Sequence, residues 1–418
     1  MVAQVKIGTV VVLNDYCHVQ GGASRVAVDE AVALAQQGLE VIFFGAVGPV
    51  CDELKHAPLT VICLDQPELL NVGKNPGVML QGLWNLLAYR RVAALLRTLD
   101  PRSTIVHLHG YTKALTSSPV RAAHEAGIAV VCTLHDFYTA CPNGAFFDFQ
   151  RRTACPKRGL SLDCMATNCD KRRYVHKAYR VVRSLAQRHL GGLPGTVRHY
   201  ITLSENSRRL LTPYLPADAR YYPLENISEA PQLPPVAVAA NRAIVAVGRL
   251  DVEKGVETLL AAAQQAGVPL TFVGDGPLRP LVDAAPNVRV TGWVNAEQVQ
   301  AELGKARALV FPSLWYETYG LVVAEAAARG IPTIVSTISA ASERVTDGVD
   351  GWHMPAGDVN ALAQILRQLA DDALVRRVGQ AAYDRFWANP PTRARHVAGL
   401  CAIYEQILSP QAAQAARA

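Results

Sequence analysis

Phe311-Pro312-Ser313-Leu314-Trp315-Tyr316-Glu317-Thr318-Tyr319-Gly320-Leu321-Val322-Val323-Ala324-Glu325-Ala326-Ala327-Ala328-Arg329-Gly330-Ile331-Pro332 is the stretch on which the reading of this 418-residue chain turns. The apolar run Ala308–Phe311 before it reads as a buried strand that stops at Pro312. Helix formers run from Leu321 to Arg329, and Gly330 with Pro332 supplies the stop. Thr333–Ser336 is the next strand, so the unit is strand–loop–helix–strand of a parallel sheet. Glu317 lies in the loop and Glu325 in the helix, with seven residues between them. A carboxylate among Val322, Val323, Ala324, Ala326, Ala327 and Ala328 needs a partner, because burying an unpaired charge is costly. Eight helical positions bring a side chain back to within about 80° of its starting direction. Both carboxylates can therefore face the end of the sheet where open α/β sheets bind ligands. A solvated loop glutamate and an arginine-paired helix glutamate is the alternative.

The rest of the chain keeps the same rhythm. Val5–Leu13, Leu39–Gly45, Leu59–Leu64, Thr104–Leu108, Ile128–Leu134 and His199–Leu203 read as strands, with helical stretches between them, including one long helix over Val78–Leu99. After Pro231, Pro234 and Pro235, which mark a linker, strands recur at Ala243–Val247, Leu270–Val273 and Val288–Thr291. Helices follow at about 358–371, 373–384 and 392–408. Alternation of this kind means doubly wound parallel sheets.

Gly21-Gly22 between a strand and a helix suits either a phosphate approach or a plain turn. Arg249 and Lys254 straddle a strand end and a helix start, an arrangement that suits a diphosphate. His109 and His135 each end a strand on the ligand side, whereas His107 reads as structural.

Half the chain is apolar and 18% is charged, as in ordinary globular proteins. No apolar run is long enough to span a membrane and Val5–Leu13 lacks a cleavage site, so cytoplasmic residence is expected. A net charge of +6 does not favour nucleic acid. Four of the nine cysteines, Cys141, Cys155, Cys164 and Cys169, fall in a basic segment that breaks the rhythm. Four thiolates there could hold a structural zinc; free thiols or disulfides are the alternatives. From Lys171 to Leu190 a helix can place Tyr174, Val175, Ala178, Val182, Leu185 and Ala186 on one face. Its basic excess suits an anionic acceptor, an anionic membrane surface, or solvent alone.

Glu317–x7–Glu325 with Tyr319-Gly320-Leu321 between, preceded by Gly248-Arg249-Leu250 and Lys254-Gly255, resembles the donor-binding signature of retaining glycosyltransferases of family 4, glycosyl transferases group 1. The resemblance implies an α/β GT-B fold, two Rossmann-like domains facing across a cleft. An acceptor-binding domain would take residues 1–225 plus a returning helix at about 391–418, with a Cys-rich insertion at about 141–176. A nucleotide-sugar domain would take 242–390. It implies transfer of a hexosyl group with retention from a UDP- or GDP-sugar to a glycan, lipid-linked or small hydroxyl acceptor, at the inner face of a membrane if peripheral. No catalytic cofactor is implied, because two cations stand in for a metal.

By the same resemblance, Gly21, Gly22, Arg249, Lys254, Gly274, Val294, Glu317, Tyr319, Gly320, Leu321 and Glu325 bind donor. His135 faces the sugar, and Arg25, His109 and Asp136 lie on the acceptor side. The usual Pro-Asn-Gly interdomain loop is replaced here by Pro223-Leu224-Glu225-Asn226. The alternatives are a sugar-nucleotide epimerase of the same architecture and a non-catalytic protein that binds a glycan or a nucleotide sugar.

Overall fold

The computed structural model describes residues 6–69 and 76–409; the ends of the expected first domain, 1–5 and 410–418, lie outside them. Two parallel sheets carry the chain. The first is built from β1 (Thr9–Tyr16), β2 (Glu40–Val47), β3 (Thr60–Cys63), β4 (Thr104–Leu108) and β5 (Ala129–Thr133). After a two-residue-stranded hairpin, β6 (Phe147–Asp148) and β7 (Thr153–Ala154), it is completed by β8 (His199–Thr202) and β9 (Arg220–Pro223). Its order is β3-β2-β1-β4-β5-β8-β9. The second comprises β10 (Ala243–Val247), β11 (Leu270–Val273), β12 (Val288–Val290), β13 (Ala306–Phe311), β14 (Thr333–Ser336) and β15 (Gly351–Met354), ordered β12-β11-β10-β13-β14-β15.

Strand β1 is buried along its whole length because helices cover both faces of the sheet. Val11 and Leu13 pack with Phe44 and Val106 on one face, and Val10 and Val12 with Phe43 and Ile105 on the other, the period-two alternation of a strand. The last helix, Arg393–Leu408, places Val397, Leu400, Tyr404 and Ile407 in that second cluster. The chain thus returns to the first sheet after building the second. Strand order reverses between β1 and β4 in one sheet and between β10 and β13 in the other, the positions where such sheets hold ligands.

Two expectations are corrected. The long helix over Val78–Leu99 is two, Pro76–Leu83 and Leu86–Leu96. Asn85 breaks it: its Oδ1 caps the Ala88 N–H at 3.0 Å while its Nδ2 donates to the Ala114 carbonyl at 2.8 Å. The second concerns the helix Tyr174–His189, which buries Lys177, Val181, Ser184 and Gln187. Its apolar residues Tyr174, Val175, Val182 and Leu185 are exposed instead.

Candidate donor-binding cleft

A cavity of about 570 Å³ lies where the two switch points meet, lined from the first sheet by Gly22, Ala23, His135, Leu203 and, further on, Asn226. From the second sheet come Gly248, Lys254, Gln300 and the run Glu317–Val322 with Glu325. The walls nearly touch: a Cβ on Gly22 would sit 3.7 Å from Leu321 Cδ1, and Thr318 Oγ1 donates to the His135 carbonyl at 3.0 Å. A cavity of about 630 Å³ lies elsewhere at the domain junction, around Arg208, Arg344 and Arg395. Most of its charges are matched, Glu205 to Arg208, Glu225 to Arg344, and Glu343 to the N–H groups of Glu205 and Asn206, while Arg395 bonds to Asn389. It presents no open helix end like that of Leu321.

Local backbone explains why these residues converge. Gly255 has φ 72°, and a Cβ there would come within 2.0 Å of the Pro312 carbonyl oxygen. Only glycine lets that turn close against the loop after β13, which brings Lys254 Nζ to 2.7 Å from Glu317 Oε1. The same oxygen accepts from Ser313 Oγ and Trp315 Nε1, each at 2.8 Å. Those three donors hold Glu317 at φ 45°, a strained setting for a glutamate. Glu317 Oε2 makes no hydrogen bond among the described residues. Gly320, at φ 89°, starts the helix Leu321–Ala328 without a side-chain cap. The Val323 N–H turns back to the Gly320 carbonyl, which leaves those of Leu321 and Val322 open beside the cavity, a favourable place for phosphate.

Glu325 meets a glutamine, not an arginine: Gln300 Nε2 donates to its Oε2 at 3.3 Å. Burial raises its carboxyl above the usual range. Asn226, in the loop that departs from the family pattern, lines the cavity with a buried Oδ1 that lacks a partner, while its carbonyl accepts from Tyr319 at 3.3 Å.

Other expected residues fall elsewhere. Arg249 lies outside the cavity lining, folded onto Asp251 at 2.8 Å and Glu253 at 3.1 Å, and Lys171 of the insertion binds the same two carboxylates. Gly274 is a packing residue, since a Cβ would lie 2.0 Å from the Gly248 carbonyl oxygen. Val294 packs on the core of the second sheet beside an exposed Trp293. Arg25 pairs with Asp29 and Glu53 at 3.7 and 3.6 Å. Asp136 accepts from the Tyr138 N–H, and burial pushes its carboxyl up to about 6.

His109 is corrected from an acceptor contact: it is buried behind His135, whose Nε2 it meets through Nδ1 at 3.0 Å. Burial and the neighbouring His109 push the His135 imidazole down to about 3. Behind His109 stands Glu30, bonded to His396 at 2.8 Å. Burial alone would raise the Glu30 carboxyl; His109 and His396 hold it well below the usual range. Neither Glu30 nor His396 was singled out from the sequence. Glu30 follows Asp29 in the helix Gly22–Gln36, so it lacked the isolation that marked Glu325.

The expected zinc site is corrected too. Among the described residues no three of the four sulfurs lie within 4.8 Å of one another, and none is in a disulfide. Lys177, with a relative exposure of 0%, reaches between them, its Nζ 3.4 Å from Cys164 Sγ and 3.3 Å from Cys169 Sγ. Cys141 Sγ donates to Asn143 Oδ1 at 3.0 Å. An ammonium group occupies the ground a metal would need.

Residues 20–222 match the family described as Glycosyltransferase Family 4, and residues 241–372 that described as Glycosyl transferases group 1. A glycogen synthase of Mycobacterium tuberculosis (strain H37Rv) is 38% identical over 152 residues, 33% of this chain and 36% of that protein. A GDP-mannose-dependent alpha-mannosyltransferase of Corynebacterium glutamicum is 28% identical over 175 residues, 40% of this chain and 42% of that protein. The chain therefore spans about two fifths of the length of these curated relatives or less. Among solved structures, Anabaena HepE in complex with UDP and glucose superimposes with a TM-score of 0.65 at 16% identity, covering 96% of this chain and 100% of that one.

Proposed function

The chain belongs to the family 4, group 1 glycosyltransferases of GT-B fold, and from that premise we propose that it transfers a hexosyl group from a nucleoside diphosphate sugar, with retention, to a hydroxyl acceptor. The observation that carries this reading is the single cavity into which Lys254, Glu317, Glu325 and the open start of the helix Leu321–Ala328 converge, with His135 on the opposite wall. In the proposed complex the diphosphate lies against that helix start and Lys254, with Arg249 swinging from Asp251 and Glu253 to join it. Glu325 accepts from the ribose hydroxyls, and the free Oε2 of Glu317 accepts from the sugar. The bond from the anomeric carbon to the phosphate oxygen breaks and that to the acceptor oxygen forms on the same face. The acceptor's proton passes to the leaving phosphate, whose growing charge Lys254 and the helix start stabilise.

Residues 1–225 with about 391–418 are assigned to acceptor binding, and 242–390 to donor binding. A solved relative binds UDP and a curated relative is named for GDP-mannose, so both bases stay in the proposal. A lipid-linked acceptor at an anionic membrane surface, reached from the cytoplasmic side, is supported by one feature. Leu80 (67% exposed) and Val175 (65%) stand out from neighbouring helices, flanked by exposed Arg172 and Arg173. No helix among the described residues is long and apolar enough to cross a membrane.

The test is a thermal-shift panel of UDP- and GDP-sugars, followed by turnover with and without acceptor. A ligand at 100 times its dissociation constant stabilises by about 2.7 kcal/mol, which such a scan resolves. No shift with any nucleotide sugar would refute the proposal. Donor consumed without acceptor, yielding an epimer, would favour the epimerase alternative.

A further inference from the structure

Four polar side chains, ending on a backbone carbonyl, form a buried line from the cleft to the last helix, across 366 residues of sequence at one of its joints. His135 Nε2 meets His109 Nδ1 at 3.0 Å, with the rings near parallel at 25°. His109 Nε2 faces Glu30 Oε2 at 3.3 Å. Both atoms are buried and neither completes a well-aligned hydrogen bond among the described residues, so each has the other as its nearest polar neighbour in an ion-pair contact. Glu30 Oε1 meets His396 Nε2 at 2.8 Å, and His396 Nδ1 meets the Glu225 carbonyl at 2.6 Å. His107 stands alongside, 3.6 Å from Glu30 Oε2, but its nitrogens are taken by the Tyr404 and Thr133 hydroxyls, each at 2.7 Å. The ligand atoms of Glu30, His107 and His109 lie within 4.8 Å of one another, close enough for a metal; with both His107 nitrogens engaged, the cluster reads as a polar network instead.

We propose that Glu30 and His109 are positioning residues that hold His135 as its Nε2–H tautomer, leaving the Nδ1 lone pair to accept from a hydroxyl in the cleft, with His396 anchoring the far end. The direction of the line follows from what each atom can do. A carbonyl only accepts, so His396 Nδ1 carries a proton. If Glu30 is ionised, His396 is the imidazolium that balances it; if the proton sits on Glu30 Oε1, His396 is neutral. In either case Glu30 Oε2 is an acceptor, so His109 Nε2 carries the hydrogen. With His396 as the one cation beside Glu30, His109 is neutral and presents Nδ1 as an acceptor, and His135 donates from Nε2; a cationic His109 would donate from Nδ1 and reverse the tautomer. The tautomer at the cleft is thus independent of where the Glu30–His396 proton lies, the orienting role a buried carboxylate plays behind a histidine.

The value of this line to a sugar-binding cleft rests on the function proposed above; the tautomer itself does not. Ring-15N histidine spectra of the full chain, assigned by a His135→Gln variant, read it directly. In the wild type, His135 should show a protonated Nε2 and an unprotonated Nδ1. Glu30→Gln, which keeps an acceptor oxygen and an alternative donor for His396, should preserve that pattern. Glu30→Met removes the acceptor and should give averaged nitrogen shifts at His135. A wild-type His135 protonated at Nδ1, or averaged between forms, overturns the proposal whether or not any variant folds. So does an unchanged pattern in a folded Glu30→Met protein. UDP and GDP binding measured on the same samples separates the two claims: no nucleotide binding with the expected tautomer sinks the function and leaves the positioning device.

Discussion

Replacing Glu325 with glutamine should weaken nucleotide binding while leaving the unliganded protein at least as stable. The carboxylate has one hydrogen-bond partner, Gln300 Nε2 at 3.3 Å, and burial raises its pKa. A carboxyl raised in the folded state lets the unfolded chain release its proton first, so Glu325 destabilises the fold increasingly as pH rises above 4.5, its unperturbed value. The neutral amide removes that penalty. Binding moves the other way. A hydrogen bond to a charged group contributes about 1.5–3 kcal/mol, so loss of one to a ribose hydroxyl lowers affinity roughly 10- to 150-fold. Calorimetric titration with UDP and GDP gives the affinity, and thermal denaturation of the free protein gives the stability. The deoxyribose forms of the same nucleotides close a double-mutant cycle. They should bind the wild type more weakly than the parent nucleotides, and the variant about equally. A variant that binds within twofold of wild type, or that still distinguishes ribose from deoxyribose fully, would refute the ribose assignment.

Three further outcomes are expected. Gly255→Ala should push the turn away from the Pro312 carbonyl and separate Lys254 from Glu317, lowering transfer far more than a Gly267→Ala change, which meets open space at a similar φ; equal activity in both variants would count against the packing argument. His396→Gln should lower the melting temperature by several degrees, since breaking a buried pair costs about 3–5 kcal/mol. His396 is raised above 6.5 and Glu30 lowered below 4.5, so their contribution is full between those values, fading at higher pH as His396 deprotonates and at lower pH as Glu30 protonates; a deficit independent of pH from 3 to 9 or so would rule the pair out as its source. Elemental analysis of protein prepared without added metal should find less than about a tenth of an equivalent of zinc, and stoichiometric zinc would mean that Lys177 leaves the cysteines.

Much of this arrangement is legible along the chain because it depends on local periodicity. The run Val10–Leu13 is apolar at every position, which a strand tolerates only between two covered faces. Lys254-Gly255 and the Gly320 helix start are likewise local, since a positive φ leaves its mark as glycine. Glu325 stood out by contrast with its own helix.

The partners of buried polar groups were not legible, because they are chosen by which elements the fold brings together. Glu30 and His396 meet only once the last helix has crossed back to the first sheet. The inward face of Tyr174–His189 carries Lys177 between two thiols beside Val181, a face that hydropathy does not select. Asn85 split an otherwise continuous helical pattern because Ala114, far along the chain, offered its carbonyl. Period and propensity act over a few residues, whereas a buried donor must be satisfied by whatever acceptor lies within hydrogen-bond reach in space, and that distance is a property of the assembled chain.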